Sequence, residues 1–159
     1  MTPKDSESEA AAAPSVRVDF YVLADTHASA RLQFACRLAE KAHHLEQQVH
    51  LHTASAAEAE QLDNLLWTFR QGSFVPHEIL AGGSAVQSPV TVGHGAAAPP
   101  RADLLINLAA DIPDFAAACS RVVEIVDGSE NIRQQGREHF RRYRERGWNP
   151  ASHTIGDPA

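Results

Sequence analysis

The sequence predicts an α/β fold: a single three-layer α/β/α domain with a largely parallel sheet. Two observations predict it. Short β-branched runs that are apolar on both faces alternate along the chain with segments in which apolar residues have helical spacing. Parallel strands require crossover connections, which are usually helices, and these helices cover both faces of the sheet. The length of 159 residues fits one such domain with a core of its own.

The first half of the chain contains two predicted strands and two predicted helices. The run VRVDFYVLA, from residue 16, is a strand because its alternating apolar residues give way to a wholly apolar end. Helical spacing follows from Ser29 to about Glu46, and QVHLHTA is a second short strand. Ser55 and Glu58 have the spacing of a capping box, which predicts the start of a helix that continues through the leucines of LDNLL.

The second half adds further strands and helices. FVPHEIL and SPVTVG are predicted to be short extended segments in a Gly/Pro-rich region, and ADLLINLA and RVVEIV are predicted strands. A helix is expected near Pro113 to Cys119, since proline is tolerated at an early helical position. The last helix is predicted from about Ser129 to Arg146 and is rich in arginine.

Composition and the chain ends predict the domain boundaries and the cellular location of the protein. We expect residues 1–15 to be a flexible lead, residues 16–149 the α/β domain and residues 150–159 a C-terminal tail. Cys36 and Cys119 lie in apolar stretches, as buried thiols in a reducing compartment do. No apolar run reaches the ~18 residues that span a bilayer, and the amino terminus lacks a signal-peptide pattern. The sequence therefore predicts a cytoplasmic protein without a membrane partner.

Motifs for catalysis and cofactor binding are not found. The turn after the first strand, LADTHASA, contains no glycine, so it cannot cradle a phosphate as G-x-G-x-x-G or a P-loop does. The fold is therefore predicted to have Rossmann-like topology without a nucleotide site. His50 and His52 would share one face of a strand, but no nearby ligand completes a tetrahedral metal set, and a solvent-facing pair is favoured. We expect no catalytic residue, no metal and no cofactor.

The predicted C-terminal helix has a charge opposite to that of the whole chain. Residues 131–149 contain six arginines and two glutamates, hence +4, within a chain of net charge −6. At about 100° per residue, four of the arginines fall within one arc of roughly 80°, beside an apolar seam that contains two aromatics. The arginines are Arg133, Arg137, Arg141 and Arg144, and the seam is Ile132, Gly136, Phe140 and Tyr143.

This arginine stripe has three possible interpretations. One is a solvated amphipathic helix whose arginines face water. Another is a site for a short acidic peptide with an apolar end, because every basic residue of the helix is arginine, which suits bidentate capture of carboxylates, and because the stripe borders aromatics. Nucleic-acid phosphate is the competing ligand, but an acidic protein would repel the rest of the polymer. The peptide is favoured over nucleic acid.

The stretch LDNLLWTFRQGSFVPH, residues 62–77, raises a second question. Its helical apolar spacing includes Trp67 and breaks at Gly72, after which Phe74 begins a short Phe-Val-Pro-His run. A core of leucines would not need these aromatics around the break. They are either part of the core or face a partner.

Four stretches, in order along the chain, resemble the chi subunit family of bacterial DNA polymerase III: VDFYVL, LDNLLWTFRQGSFVPH, DLLINL and RQQGREHFRRYRERGWN. The resemblance covers about Val16 to Trp148. It implies a non-catalytic member of the clamp-loader assembly that bridges the psi subunit to the acidic, Phe-terminated carboxyl tail of single-stranded DNA-binding protein during DNA replication. DNA would then be contacted only indirectly. A direct single-stranded nucleic-acid-binding protein is the alternative.

The resemblance also implies two sets of contact residues. The block associated in the family with psi binding corresponds to Trp67, Phe74, Val75, Pro76 and His77. A helicase of the repair machinery is implied as a further partner of that same face.

For the tail of single-stranded DNA-binding protein, the resemblance implies three basic positions and two apolar ones. They correspond to Arg133, Arg137, Arg141, Val126 and Phe140. Phe140 stands where the family can have a hydroxyl-bearing aromatic, so any hydrogen bond from that hydroxyl would be missing in this chain.

Overall fold

Seven parallel strands form one sheet in the computed structural model, which describes residues 16–27, 29–72, 74–80, 86 and 88–155. The strand order is β3-β4-β2-β5-β6-β1-β7, and each neighbouring pair runs parallel. The strands are β1 (Arg17–Val22), β2 (Val49–Thr53), β3 (His77–Ile79), β4 (Val90–His94), β5 (Leu104–Asn107), β6 (Arg121–Val126) and β7 (Ala151–Thr154).

Helices cover both faces of this sheet. Helices α1 (Ala30–His44) and α2 (Ala56–Thr68) pack on one face, where Leu51 and Leu62 are fully buried. Helix α3 (Glu130–Glu145) and a 3-10 helix (Asp114–Ala118) pack on the other. The predicted three-layer α/β/α fold is confirmed.

The start of α2 confirms the capping box. Ser55 Oγ accepts a hydrogen bond from the Glu58 amide at 3.1 Å, and Glu58 Oε1 accepts one at 2.9 Å from the amide of Ala54. One first-turn amide that has no intrahelical partner is therefore paired, and Glu58 also binds the amide of the residue before the N-cap. The helix ends at Thr68, and Gly72 in the turn that follows has a φ of +81°, a conformation that glycine adopts without steric cost.

Two elements differ from the sequence expectations. The segment after Pro113 forms a 3-10 helix of five residues in place of an α-helix. Strand β7 has no counterpart among the predicted elements, because Ala-Ser-His-Thr contains no apolar alternation. It pairs in parallel with β1, and His153 Nε2 lies 2.8 Å from a carboxylate oxygen of Asp19. The expected flexible lead, residues 1–15, lies outside the described residues.

The expectation of a solvent-facing His50 and His52 was wrong. Both residues are buried, because β2 is an interior strand and the ring of Phe115 lies edge-on to both imidazoles. His50 Nδ1 lies 2.7 Å from the hydroxyl of Thr91. Burial lowers the pKa of His50 to about 3, so its imidazole is neutral at physiological pH.

The two cysteines are buried, as predicted. Burial raises the pKa of Cys36 to about 12 and that of Cys119 to about 11, so neither thiol is ionised at neutral pH. No helix in the described part of the chain is long and apolar enough to span a bilayer. Within the same residues, no three His, Cys, Asp or Glu side chains are grouped closely enough to hold a metal ion.

Close packing of α3 on β6 depends on Gly136. A Cβ atom at this position would lie 2.7 Å from Val126 Cγ2, well inside van der Waals contact. Gly136→Ala should therefore lower the free energy of unfolding by about 1 kcal/mol, because overpacking costs more than the gain in helix propensity. Urea unfolding would measure it, with the exposed Gln134→Ala as control. Stabilisation by both substitutions would contradict this account of the contact.

Candidate contact surfaces

Two aromatic side chains lie exposed at the end of α2. Trp67 is 52% exposed and Phe74 is 62% exposed, and their ring centroids are 5.8 Å apart. Neither ring is therefore a core residue, which removes one of the two interpretations of the residue 62–77 stretch. We call Trp67, Phe74 and the half-buried Pro76 the aromatic surface.

Val75 and His77 lie beneath this surface. Val75 is fully buried, and the ring of His77 packs 4.5 Å from that of Trp67. His77 Nδ1 lies 2.6 Å from the Val75 carbonyl oxygen, and Nε2 lies 3.1 Å from the carbonyl oxygen of Asp63 on α2. The imidazole thus links the loop to the helix. Of the five residues at the predicted psi-binding face, three reach the surface and two hold it in place.

The exposed face of α3 presents the predicted arginines together. An open depression of about 400 Å³ lies on this face. We call the exposed arginines and the ring beside them the arginine surface, which comprises Arg133, Arg137, Phe140, Arg141 and Arg144.

The predicted apolar residues lie at the inner side of the arginine surface. Phe140 is half-buried, and its ring centroid lies 5.1 Å from that of Phe20 on β1. Val126 is 8% exposed and packs beneath Gly136. The structure therefore brings Phe140 into the depression and places Val126 under α3, where it supports the helix.

Glutamates of α3 pair with several of these arginines. Arg141 Nη2 donates to Glu138 Oε1 at 2.6 Å, and Arg142 Nε donates to Glu138 Oε2 at 3.1 Å. Contacts of Arg137 with Glu130 and of Arg141 with Glu145 are longer, at 3.6 and 3.8 Å. The structure gives no ion pair for Arg133 or Arg144 within the described residues.

A buried polar network fixes α3 to the sheet. Glu124 on β6 accepts hydrogen bonds from the hydroxyl of Tyr143 at 2.7 Å and from the amide of Asn107 at 2.9 Å. Its other oxygen lies 3.0 Å from Nδ1 of His139, whose Nε2 lies 2.7 Å from the Ala110 carbonyl oxygen. Sequence reasoning missed this network, although a glutamate inside the apolar run RVVEIV was the available signal.

The network makes the stability of α3 dependent on pH. Burial alone would lower the pKa of His139. The hydrogen bond and the negative charge of Glu124, together with the hydrogen bond to the Ala110 carbonyl, raise this pKa by more, so the net shift is upward. The stabilisation that protonated His139 contributes through Glu124 is therefore fully present below the unfolded-state histidine pKa of about 6.5. It is lost as pH rises through the pKa of His139 in the folded protein.

We expect the difference in unfolding free energy between the wild-type protein and His139→Gln to shrink between pH 6 and pH 9. Chemical unfolding of both proteins at each pH would measure it. Groups that titrate equally in both proteins, such as His50, cancel from this difference. A difference that grows with pH would contradict the assigned ion pair.

A separate cavity of about 480 Å³ lies at the carboxyl ends of β2 and β5, the sheet edge at which open α/β folds bind ligands. Among the residues that the structure describes, its lining includes Asp111 and Asp114 and no lysine or arginine. The cavity is therefore poorly matched to a phosphate group.

Sequence comparison assigns the chain to a protein family. The family described as "DNA polymerase III chi subunit, HolC" matches residues 16–151. The DNA polymerase III subunit chi of Pseudomonas aeruginosa is 45% identical over 139 residues, which cover 87% of this chain and 96% of that protein. The chain belongs to the DNA polymerase III chi subunit family.

More distant members support the same assignment. The chi subunit of Escherichia coli is 31% identical over 122 residues, covering 76% of this chain and 83% of that protein. That of Haemophilus influenzae is 29% identical over 138 residues, covering 86% and 96%. The predicted family is confirmed, and with it a place in DNA replication. The matched segment includes both the aromatic surface and the arginine surface.

Proposed function

We propose that the protein is a non-catalytic accessory subunit of the DNA polymerase III clamp-loader assembly, acting in the cytoplasm. It bridges the psi subunit to the acidic C-terminal tail of single-stranded DNA-binding protein. The observation that best supports this proposal is the position of the two surfaces. The aromatic surface lies at the end of α2 and the arginine surface lies on α3, and these helices cover opposite faces of the sheet. Two partners could therefore bind without overlapping.

The arginine surface suits an acidic tail that ends in phenylalanine. Guanidinium groups bind carboxylates through paired hydrogen bonds, and Arg137, Arg141 and Arg144 surround one depression. Phe140 lines the same depression and offers an apolar contact for an aromatic end group. A peptide of this composition uses both kinds of contact, whereas a polyanion such as DNA would also meet the net charge of −6.

The aromatic surface suits a protein partner such as psi. Tryptophan is enriched among residues that dominate protein–protein affinity, and exposed aromatic pairs are uncommon without a partner. Trp67 and Phe74 would contact psi directly, while Val75 and His77 would hold them from below. A repair helicase that uses this face would compete with psi, because the rings of Trp67 and Phe74 form a single contiguous patch.

Binding of the tail should depend on Arg137. We expect Arg137→Ala to weaken binding of a labelled acidic, Phe-terminated peptide about tenfold or more, since a hydrogen bond to a charged group contributes on the order of 1.5–3 kcal/mol. Fluorescence anisotropy would measure the affinity, and rising salt should weaken it. Arg101→Ala, which removes an exposed arginine paired with Asp103 in a loop before β5, is the matched control.

Two outcomes would contradict this proposal. Unchanged peptide affinity in a folded Arg137→Ala protein would exclude the arginine surface as the binding site of the peptide. Tighter binding of a labelled single-stranded oligonucleotide than of the peptide, with a steep dependence on salt, would favour the alternative of direct nucleic-acid binding.

A further inference from the structure

One carboxylate of the protein itself, that of Glu138, already pairs with Arg141 of the arginine surface. We propose that Glu138 limits the affinity of this surface for acidic runs: it is an internal competitor for Arg141 that an incoming peptide carboxylate must displace. The inference rests on the proposed function, because it concerns how the same arginines bind their ligand.

The geometry shows how firmly Glu138 holds its partners. Its two carboxylate oxygens accept from two different arginines, Arg141 at 2.6 Å and Arg142 at 3.1 Å. The hydrogen bond from Arg142 is the largest cause of a lowered pKa of Glu138, to which the charge of Arg141 adds. Glu138 is therefore ionised at neutral pH. Glu145 adds a second negative charge at the rim of the depression, 3.8 Å from Arg141 Nε.

The arginines on either side are more available. Arg144 lines the depression, and the described residues include no ion-pair partner for it. Arg137 has only a 3.6 Å contact with Glu130, and both side chains of that pair are largely exposed. The surface thus has accessible guanidinium groups on either side of an occupied one.

This arrangement favours ligands with several carboxylates. A peptide held by Arg137 and Arg144 keeps its next carboxylate close to Arg141, at a high effective concentration. Such a peptide can replace Glu138. A ligand with a single carboxylate can pair with Arg137 or Arg144 without displacing Glu138. Glu138 therefore opposes only the contact with Arg141, which an acidic run makes and an isolated anion does not need.

The test uses the full chain and two synthetic peptides. One has three aspartates before a carboxyl-terminal phenylalanine, and the other replaces the aspartates with asparagine and keeps only the terminal carboxylate. Glu138→Gln preserves the shape of the side chain and removes its charge. We expect it to bind the first peptide about two- to fivefold more tightly, the range set by an exposed ion pair, and to bind the second with nearly unchanged affinity, because one carboxylate can pair with Arg137 or Arg144 while Glu138 stays in place.

Two further proteins separate local competition from a change in net charge. Glu60→Gln makes the same change in charge at an exposed position of α2 and should leave both affinities unchanged. In an Arg141→Ala background, the gain in peptide affinity from Glu138→Gln should be smaller, because the guanidinium group for which Glu138 competes is absent.

Equal or weaker binding by Glu138→Gln, while the wild-type protein binds the first peptide, would overturn the inference and leave the proposed function standing. It would mean that Glu138 positions Arg141 for the ligand. No binding of the first peptide by the wild-type protein would contradict the proposed function and this inference together.

Discussion

Glu124→Ala should lower the free energy of unfolding by about 3–5 kcal/mol, because removing one partner of a buried ion pair leaves the other without compensation. The carboxylate accepts from Asn107, His139 and Tyr143, and all four side chains are buried. Alanine would leave His139 Nδ1 and the Tyr143 hydroxyl unpaired under α3, and Asn107 would keep only its 3.2 Å hydrogen bond to the Asp111 carbonyl oxygen. Urea unfolding followed by circular dichroism would measure the loss.

A protein of marginal stability could fail to fold with this change, so a milder variant accompanies it. Tyr143→Phe removes one hydrogen bond and keeps the aromatic packing, and it should cost about 1–2 kcal/mol. Glu60→Ala, at an exposed site on α2, should stay within about 0.5 kcal/mol of the wild-type protein. If Glu124→Ala were as stable as Glu60→Ala, the network would not be what anchors α3.

Phe74→Ala should abolish co-purification with psi while it leaves the fold almost unchanged. Truncation of an interface hot spot costs at least about 2 kcal/mol, which is roughly a thirtyfold loss of affinity. The side chain is 62% exposed, so its removal should lower the thermal midpoint only slightly. Leu45→Ala is the matched control, since Leu45 is 65% exposed at the end of α1.

Trp67 is expected to behave less simply than Phe74. Its ring packs at 4.5 Å on His77, which links α2 to the loop, so Trp67→Ala should affect both stability and partner binding. A Phe74→Ala protein that melts many degrees lower and still captures psi would contradict this role of Phe74 and leave the psi-binding face unidentified.

Local sequence patterns predicted the elements that depend on local physics. The Ser55–Glu58 capping box involves residues three apart, and its hydrogen bonds form as the spacing indicates. The stripe that includes Arg137 and Arg141 follows from helical periodicity alone, since residues four apart lie on one face of a helix. The parallel sheet follows from strands that are apolar on both faces.

Features that depend on tertiary neighbours were not predictable in this way. Strand β7 is polar and short, and it is held by pairing with β1 and by the contact of His153 with Asp19, 134 positions away. His50 looked suited to solvent because its strand alternates histidine with apolar residues, yet Phe115 covers it. The network around Glu124 joins residues on β5, β6 and α3, so no single stretch of sequence reveals it.

Exposure of the predicted contact residues was likewise a structural result. The resemblance to the family assigned Val75 and His77 to the same face as Phe74, but alternation along an extended segment turns neighbouring side chains in opposite directions. Val75 is consequently buried while Phe74 is exposed. The family motif therefore combines residues that would touch a partner with residues that hold them.

The central claim of this account is that two separate surfaces bind two partners at once. Sedimentation velocity with purified psi and a fluorescent acidic, Phe-terminated peptide tests it directly. The account predicts one complex that contains all three components with the wild-type protein. Phe74→Ala should lose only psi, and Arg137→Ala should lose only the peptide. Displacement of the peptide by psi, or loss of both partners from a folded Phe74→Ala protein, would contradict the claim.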